Sequence, residues 1–248
     1  MGSKRRVVDI SVDELVSVLK RSSLPTLVTE GGDDVVVLRE AEFFFSSIGL
    51  GLLPAGGREK LLKIYDRRQE FVGIPVAFVT DQDLWVLTGV PNEYVADVLV
   101  FTWGYSIEND LYQDGNFERL LSKKERRNFF DELNIFVRWY ALAVHRYLSG
   151  KPERIRTHPN YVLDDNNFSS KEAVLENGEF YPEELFEKIM GNYQMYVRGK
   201  SLLPLLMRHL SYSGRSARHN HMSLLELAAS DRGKLLQSIY DKLSAVFL

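Results

Sequence analysis

Apolar positions fall into two textures along the chain. In the front half they form short, nearly continuous runs at residues 26–29, 50–53, 74–80 and 95–103. Runs this short, rich in Val, Leu, Ile and Phe and not alternating with polar residues, predict strands buried on both faces. That is the property of a parallel sheet covered by helices. Between the runs lie segments with helical spacing. Ser11 with Glu14 three residues on forms a capping box that opens a helix to about Ser22. Asp33 or Asp34, after the Gly31-Gly32 break, caps a helix running to about Ser47. Residues 58–70 form another after the breaker loop Pro54-Ala55-Gly56-Gly57.

Beyond Gly104 the texture becomes helical. Residues 122–148 read as one long helix, with Phe129, Phe130, Leu133, Phe136, Val137, Tyr140 and Val144 at three-four spacing. Residues 150–178 are rich in loop signals, and 181–195, 199–213 and 222–248 read as three further helices. No repeat or long linker divides the chain. The expectation is an α/β core over residues 1–115, with a helical extension over 116–248 packed on it.

Composition narrows the chemistry. The 248 residues include no Cys, which excludes disulfides, thiolate zinc, iron–sulfur ligation and cysteine nucleophiles. No apolar run approaches the roughly 18–20 residues that cross a bilayer, and residues 7–10 are too short for a secretory segment, so a soluble cytoplasmic protein with no membrane partner is expected. The net charge of −3 hides an asymmetry. Residues 1–115 carry 11 Lys+Arg against 18 Asp+Glu, and residues 116–248 carry 20 against 16. Residues 189–225 contain no acid but do contain Arg198, Lys200, Arg208, Arg215 and Arg218, a candidate surface for a polyanion. Ordinary charge scatter on solvated faces is the alternative.

The acids of the front half sit at strand ends. Glu30 follows the first run and precedes Gly31-Gly32; Asp81 and Asp83 follow the third as Asp81-Gln82-Asp83. Open parallel sheets place ligands at the carboxyl ends of their strands. Carboxylates gathered there repel one another unless a cation holds them, and hard oxygen donors suit Mg²⁺ or Mn²⁺.

A strand ending in Glu-Gly and a later strand ending in Asp-x-Asp resemble the TOPRIM fold of topoisomerases, bacterial primases and the overcoming-lysogenization-defect nucleases. Gly56-Gly57 is similar to that fold's intermediate glycine position. Ser106-Ile107-Glu108-Asn109 and the helical tail resemble a stand-alone TOPRIM subfamily that includes the effector nuclease of the PARIS anti-phage system. The resemblance implies a TOPRIM-like parallel sheet flanked by helices, with an α-helical C-terminal extension. It also implies a metal-dependent endoribonuclease acting on transfer RNA, a toxin held in check by an ABC-type ATPase partner subunit and forming a homo-oligomer, dimeric when active. Absence of a topoisomerase gate domain and of primase zinc cysteines sets those relatives aside.

Under that resemblance Asp81 and Asp83 bind Mg²⁺, and Glu30 is a further ligand or the general base. Glu108 completes a second metal site, Asn109 is a ligand or a group that supports one, Asp34 reaches the metal cluster from the first turn of its helix, and Lys200 contacts the scissile phosphate. Residue by residue, simpler readings stand beside these: Asp33 and Asp34 as N-caps, Glu108 as a first-turn carboxylate, Lys200 as a surface lysine. His209, His219 and His221 are surface or RNA-contacting groups rather than a zinc trio, and residues 213–219 form a basic loop suited to phosphate. Tyr193, Tyr196 and Tyr212 either stack on bases or belong to the core. Phe43-Phe44-Phe45 and residues 202–206 are core, or else a partner surface. Two other functions stand as alternatives: an inactive TOPRIM scaffold or sensor that keeps the fold without binding metal, and an Asp-x-Asp nucleotide-sugar transferase. A haloacid-dehalogenase phosphatase is disfavoured by Trp85, two residues after Asp83.

Overall fold

The computed structural model describes residues 10–165, 168 and 173–248, with the side chains of residues 32–37 outside that description. The elements are α1 (Val12–Arg21), β1 (Thr26–Thr29), α2 (Gly32–Phe44), β2 (Gly51–Pro54), α3 (Arg58–Asp66), β3 (Val76–Thr80), α4 (Trp85–Thr88), β4 (Leu99–Phe101) and α5 (Ile107–Asp114). Then come α6 (Lys123–Leu148), α7 (Pro159–Asp164), α8 (Glu183–Gly191), α9 (Tyr193–Tyr196), α10 (Gly199–Leu210), α11 (His221–Asp231) and α12 (Lys234–Phe247). The fold is α/β, with a parallel sheet, flanking helices and helices towards the C-terminus, as the TOPRIM resemblance implies.

Among the described residues the four strands form one all-parallel sheet in the order β2-β1-β3-β4. The inner strands β1 and β3 are buried at every position, whereas β2 and β4 at the edges are partly exposed. This explains the unbroken apolar runs: an inner parallel strand has no face left for water. Pro54 in β2 fits the same logic, because an edge strand loses nothing when its outward N–H is missing.

By density of internal contacts the chain forms two compact units. Among the described residues, one comprises 10–82, 90–102 and 236–248; the other comprises 83–89 and those between 103 and 235. This division departs from the expected boundary at 115/116. In the first unit, Leu15, Val16 and Leu19 of α1 pack with Leu61, Ile64 and Tyr65 of α3 against Val28 and Phe78 of the sheet. Phe45 is buried against Tyr240 and Phe247 of α12, while Phe43 is 70% exposed. The C-terminal helix therefore belongs with the sheet.

The second unit is built on α6, whose capping box at Ser122 and Glu125 starts a 26-residue helix. Phe129, Leu133, Phe136, Val137 and Tyr140 are buried along it, and Leu202, Leu203, Leu205 and Leu206 of α10 are buried too, so that leucine run is core. Two predicted helices are each split. Asn192 separates α8 from α9. Residues 222–248 form α11 and α12, divided at Arg232, whose φ of 44° is left-handed, and at Gly233. A Cβ on Gly233 would stand 2.2 Å from Asp114 Cγ, and the Asp114 carboxylate accepts the Leu235 N–H at 3.1 Å. A carboxylate from α5 thus occupies the place where a continuous helix would need a side chain. Among the described residues no helix is long and apolar enough to cross a membrane.

Candidate functional site

The register of the inner strands positions the first two carboxylates. Thr29 pairs with Val79, so one residue further on Glu30 lies beside Thr80 and Asp81. Glu30 Oε1 accepts the Asp81 N–H at 2.7 Å and also the hydroxyl of Thr80, a residue only 1% exposed. The neighbouring edge strand joins from the other side. Thr29 O accepts the Ala55 N–H at 2.8 Å, and Glu30 O accepts the Gly57 N–H at 2.6 Å. Gly57 makes that bond with φ 129°, a conformation open to glycine and strained for other residues, so the Gly56-Gly57 turn has a backbone reason. Gln82 ties the next position to the end of β4: its N–H bonds Thr102 Oγ1 at 3.2 Å and its side-chain amide bonds Thr102 O at 2.6 Å. Within the sheet unit, Glu30 and Asp81 therefore share one end of the sheet, both half-buried.

The boundary between the units falls between Gln82 and Asp83. Asp83 opens the second unit's short segment with φ 50°, and its N–H bonds Tyr105 O at 2.8 Å. Tyr105 N–H in turn bonds Met195 O at 2.8 Å. Next along the chain is the turn into α5. Ser106 and Asn109 form its capping box, with Asn109 Oδ1 accepting the Ser106 N–H at 3.1 Å. The Asn109 amide donates to Gln194 O at 2.7 Å and Val197 O at 2.8 Å, and Asn109 is fully buried. Asn109 thus clamps α5 to α9 and to the segment that follows it. Asp110, also fully buried, accepts the N–H groups of Trp103 and Gly104 at 2.9 and 2.7 Å. Nothing local in the sequence separated Asp110 from any other first-turn acid.

Glu108 is partly exposed in the first turn of α5, and the start of α10 lies against it: a Cβ on Gly199 would meet Ser106 Oγ at 2.5 Å and Glu108 Cβ at 2.9 Å. Lys200 follows, exposed. Asp34 stands in α2, but its side chain lies outside the described residues.

The basic set divides. Arg208 makes a bidentate pair with Glu132 at 2.7 and 3.1 Å, a second with Asp164 at 2.8 and 2.9 Å, and bonds Asn160 Oδ1 at 3.0 Å. Arg215 bonds Glu125 at 2.9 Å and Leu120 O at 2.8 Å. With their donors committed inside the protein, these two serve as struts of the helical unit rather than readers of phosphate. Lys200 and Arg218 are exposed, and Arg198 is partly so. His209 bonds Glu132 at 3.0 Å, so it belongs to the Arg208 network. Tyr193 is buried and donates to Glu118, while Tyr212 is 46% exposed.

Among the described residues no three or more His, Asp or Glu side chains are gathered in a metal-holding group. Of the expected ligands, Glu30 and Asp81 are brought together within one unit, and both offer the hard oxygen donors that Mg²⁺ prefers. Such a complement still fits this ion, which is commonly bound through one or two carboxylates, with waters and substrate phosphates completing its shell. A pocket of about 550 Å³ along the end of α6, lined by His145, Arg146, Lys151, Glu179 and Phe180, contains none of the candidate residues. No model of a known protein family matches the chain, and no curated protein matches it.

Proposed function

We propose that the chain is a Mg²⁺- or Mn²⁺-dependent nuclease of the TOPRIM kind, cutting RNA by phosphodiester hydrolysis. The observation that carries the reading is the pairing of Glu30 and Asp81 at adjacent carboxyl ends of a parallel sheet, where ligands of such sheets bind. Asp81 and Asp83 would hold the ion, with Glu30 as a further ligand or as the base that takes a proton from water. From the resemblance alone, Glu108 would be an additional ligand and Lys200 a point charge beside the scissile phosphate. A bound divalent ion supplies Lewis-acid polarisation of the phosphoryl oxygens and lowers the pKa of water. Thr80 and the Asp81 N–H fix the Glu30 carboxylate by hydrogen bonds, so its orientation is set before substrate arrives. Transfer RNA as substrate, control by an ABC-type ATPase subunit and a dimeric active form belong to the same proposal and come from the resemblance.

A second reading is a non-catalytic scaffold of the same fold. It is favoured by the same hydrogen bonds, since a carboxylate accepting two donors also serves as a plain tie between strands. Incubation with total cellular RNA and with plasmid DNA, with Mg²⁺ or with chelator, separates the two readings. The nuclease gives metal-dependent cuts in RNA with defined end groups; the scaffold leaves both substrates whole.

A further inference from the structure

The start of α6 and the turn before it carry a dense run of charge: Glu118, Arg119, Lys123, Lys124, Glu125, Arg126 and Arg127. Both acids in this run are answered from within the protein. Glu118, 5% exposed, accepts from Tyr112, Tyr193 and Gln194, and pairs with Arg126 at 3.4 Å. Glu125 closes the Ser122 capping box and pairs with Arg215 at 2.9 Å. Arg119, Lys123, Lys124 and Arg127 are left exposed, with no ion pair to any described residue. Asp131, a turn beyond Arg127, is the first exposed acid further along the helix.

Arg215 does more than neutralise Glu125. Its guanidinium reaches Leu120 O at 2.8 Å and also Ala217 O, pinning the 211–219 loop to the start of α6. That loop brings exposed Arg218, adjoining Ala217, and Tyr212 to the same region. Tyr212 lines a pocket of about 320 Å³ together with Ser122, Lys124, Asn128 and His209. Unanswered cations beside an exposed aromatic ring are the elements of a single-strand binding groove: the cations follow the phosphates and the ring stacks on an unpaired base.

We infer that the α6 start and the pinned loop form a docking surface for an unpaired nucleic-acid strand. Lys123, Lys124, Arg127 and Arg218 contact phosphates, and Tyr212 contacts a base. The inference rests on the nuclease reading only for the choice of polyanion; binding is read separately from cleavage.

The test is fluorescence anisotropy of a labelled 20-nucleotide oligouridine in chelator, where no metal-dependent cut occurs, across a salt series. Wild type should bind with salt-dependent affinity. K124Q/R127Q should bind roughly tenfold more weakly and flatten the slope of log K against log salt by about 1.4, two contacts at about 0.7 each. Y212A should weaken binding about tenfold while leaving the slope unchanged. Far-UV circular dichroism confirms that these exposed changes leave the fold intact. Wild type that fails to bind, or a K124Q/R127Q variant that binds as wild type does, overturns the surface. So does polyglutamate that competes as well as unlabelled oligouridine, because the partner would then be an acidic polypeptide. If the binding results are as expected but no metal supports cleavage, the surface stands and the nuclease reading fails.

Discussion

Asp83 holds its backbone at φ 50°, in the left-handed region that Gly enters freely and Asp at modest cost. Such strain persists where surrounding structure over-determines it, here the N–H bond to Tyr105, and it is common at functional sites. Comparing D83G with D83A isolates the backbone contribution. In urea unfolding D83G should be the more stable by about 1 kcal/mol, and both should lose metal-dependent activity. D83A equal to or above D83G would show that the conformation carries no strain. A second residue-scale prediction concerns pH. The Arg215 hydrogen bond, with help from Ser122, holds the Glu125 carboxyl at about 2. Burial pushes Glu132 up, but the hydrogen bonds of His209 and Arg208 outweigh it and hold that carboxyl at about 2 as well. A carboxyl lowered on folding stabilises the protein above its unfolded value, and that contribution disappears as pH falls to the folded value. E125Q should therefore be less stable than wild type at pH 7, and the gap should close between pH 4.5 and 2. A constant gap over that range in thermal melts followed by helical circular dichroism would contradict the pairing.

At the scale of elements, the helical unit depends on close approach between the starts of α5 and α10. An exposed helical Gly is ordinarily improved by Ala, by about 1 kcal/mol. Gly199 should behave oppositely, because its Cβ would meet Ser106 Oγ at 2.5 Å and Asn109 Oδ1 at 3.0 Å, and Asn109 is fixed by bonds to Gln194 and Val197. G199A should lose about 1–3 kcal/mol in denaturant unfolding, and a neutral or stabilising result would show that the contact is loose. The same elements show what a sequence displays and what it conceals. The capping box at Ser11 was legible because its two partners lie three residues apart. So was the inner-strand character of β1 and β3, since burial on both faces leaves an unbroken apolar run. The break between α11 and α12 was concealed, because its cause is Asp114, on another helix far back in the chain. The clamping role of Asn109 was concealed for the same reason: its partners Gln194 and Val197 are distant in sequence. Arg208 and Arg215 counted as free charge until their acidic partners on other elements came into view.

For the whole molecule, the two compact units cut across the simple division into an acidic front and a basic back. The sheet unit reclaims the C-terminal helix through Tyr240 and Phe247, and the Asp-x-Asp motif spans the boundary, with Asp81 in one unit and Asp83 in the other. The fold class and the Glu30–Asp81 pairing were legible because strand-end position is written in the chain; how chain-distant residues divide the molecule was not. The central claim is that these strand-end carboxylates support metal-dependent cleavage rather than only tying the sheet together. E30Q separates the two roles, because its amide oxygen can still accept from Thr80 and the Asp81 N–H while the charge is gone. The decisive measurement is RNA cleavage by wild type and E30Q in Mg²⁺ or Mn²⁺, against a chelator control, with a thermal melt of each protein. The account predicts cleavage by wild type only with metal, and none by E30Q at a near-unchanged melting temperature. Undiminished cleavage by folded E30Q, or cleavage by wild type that survives chelation, would contradict it.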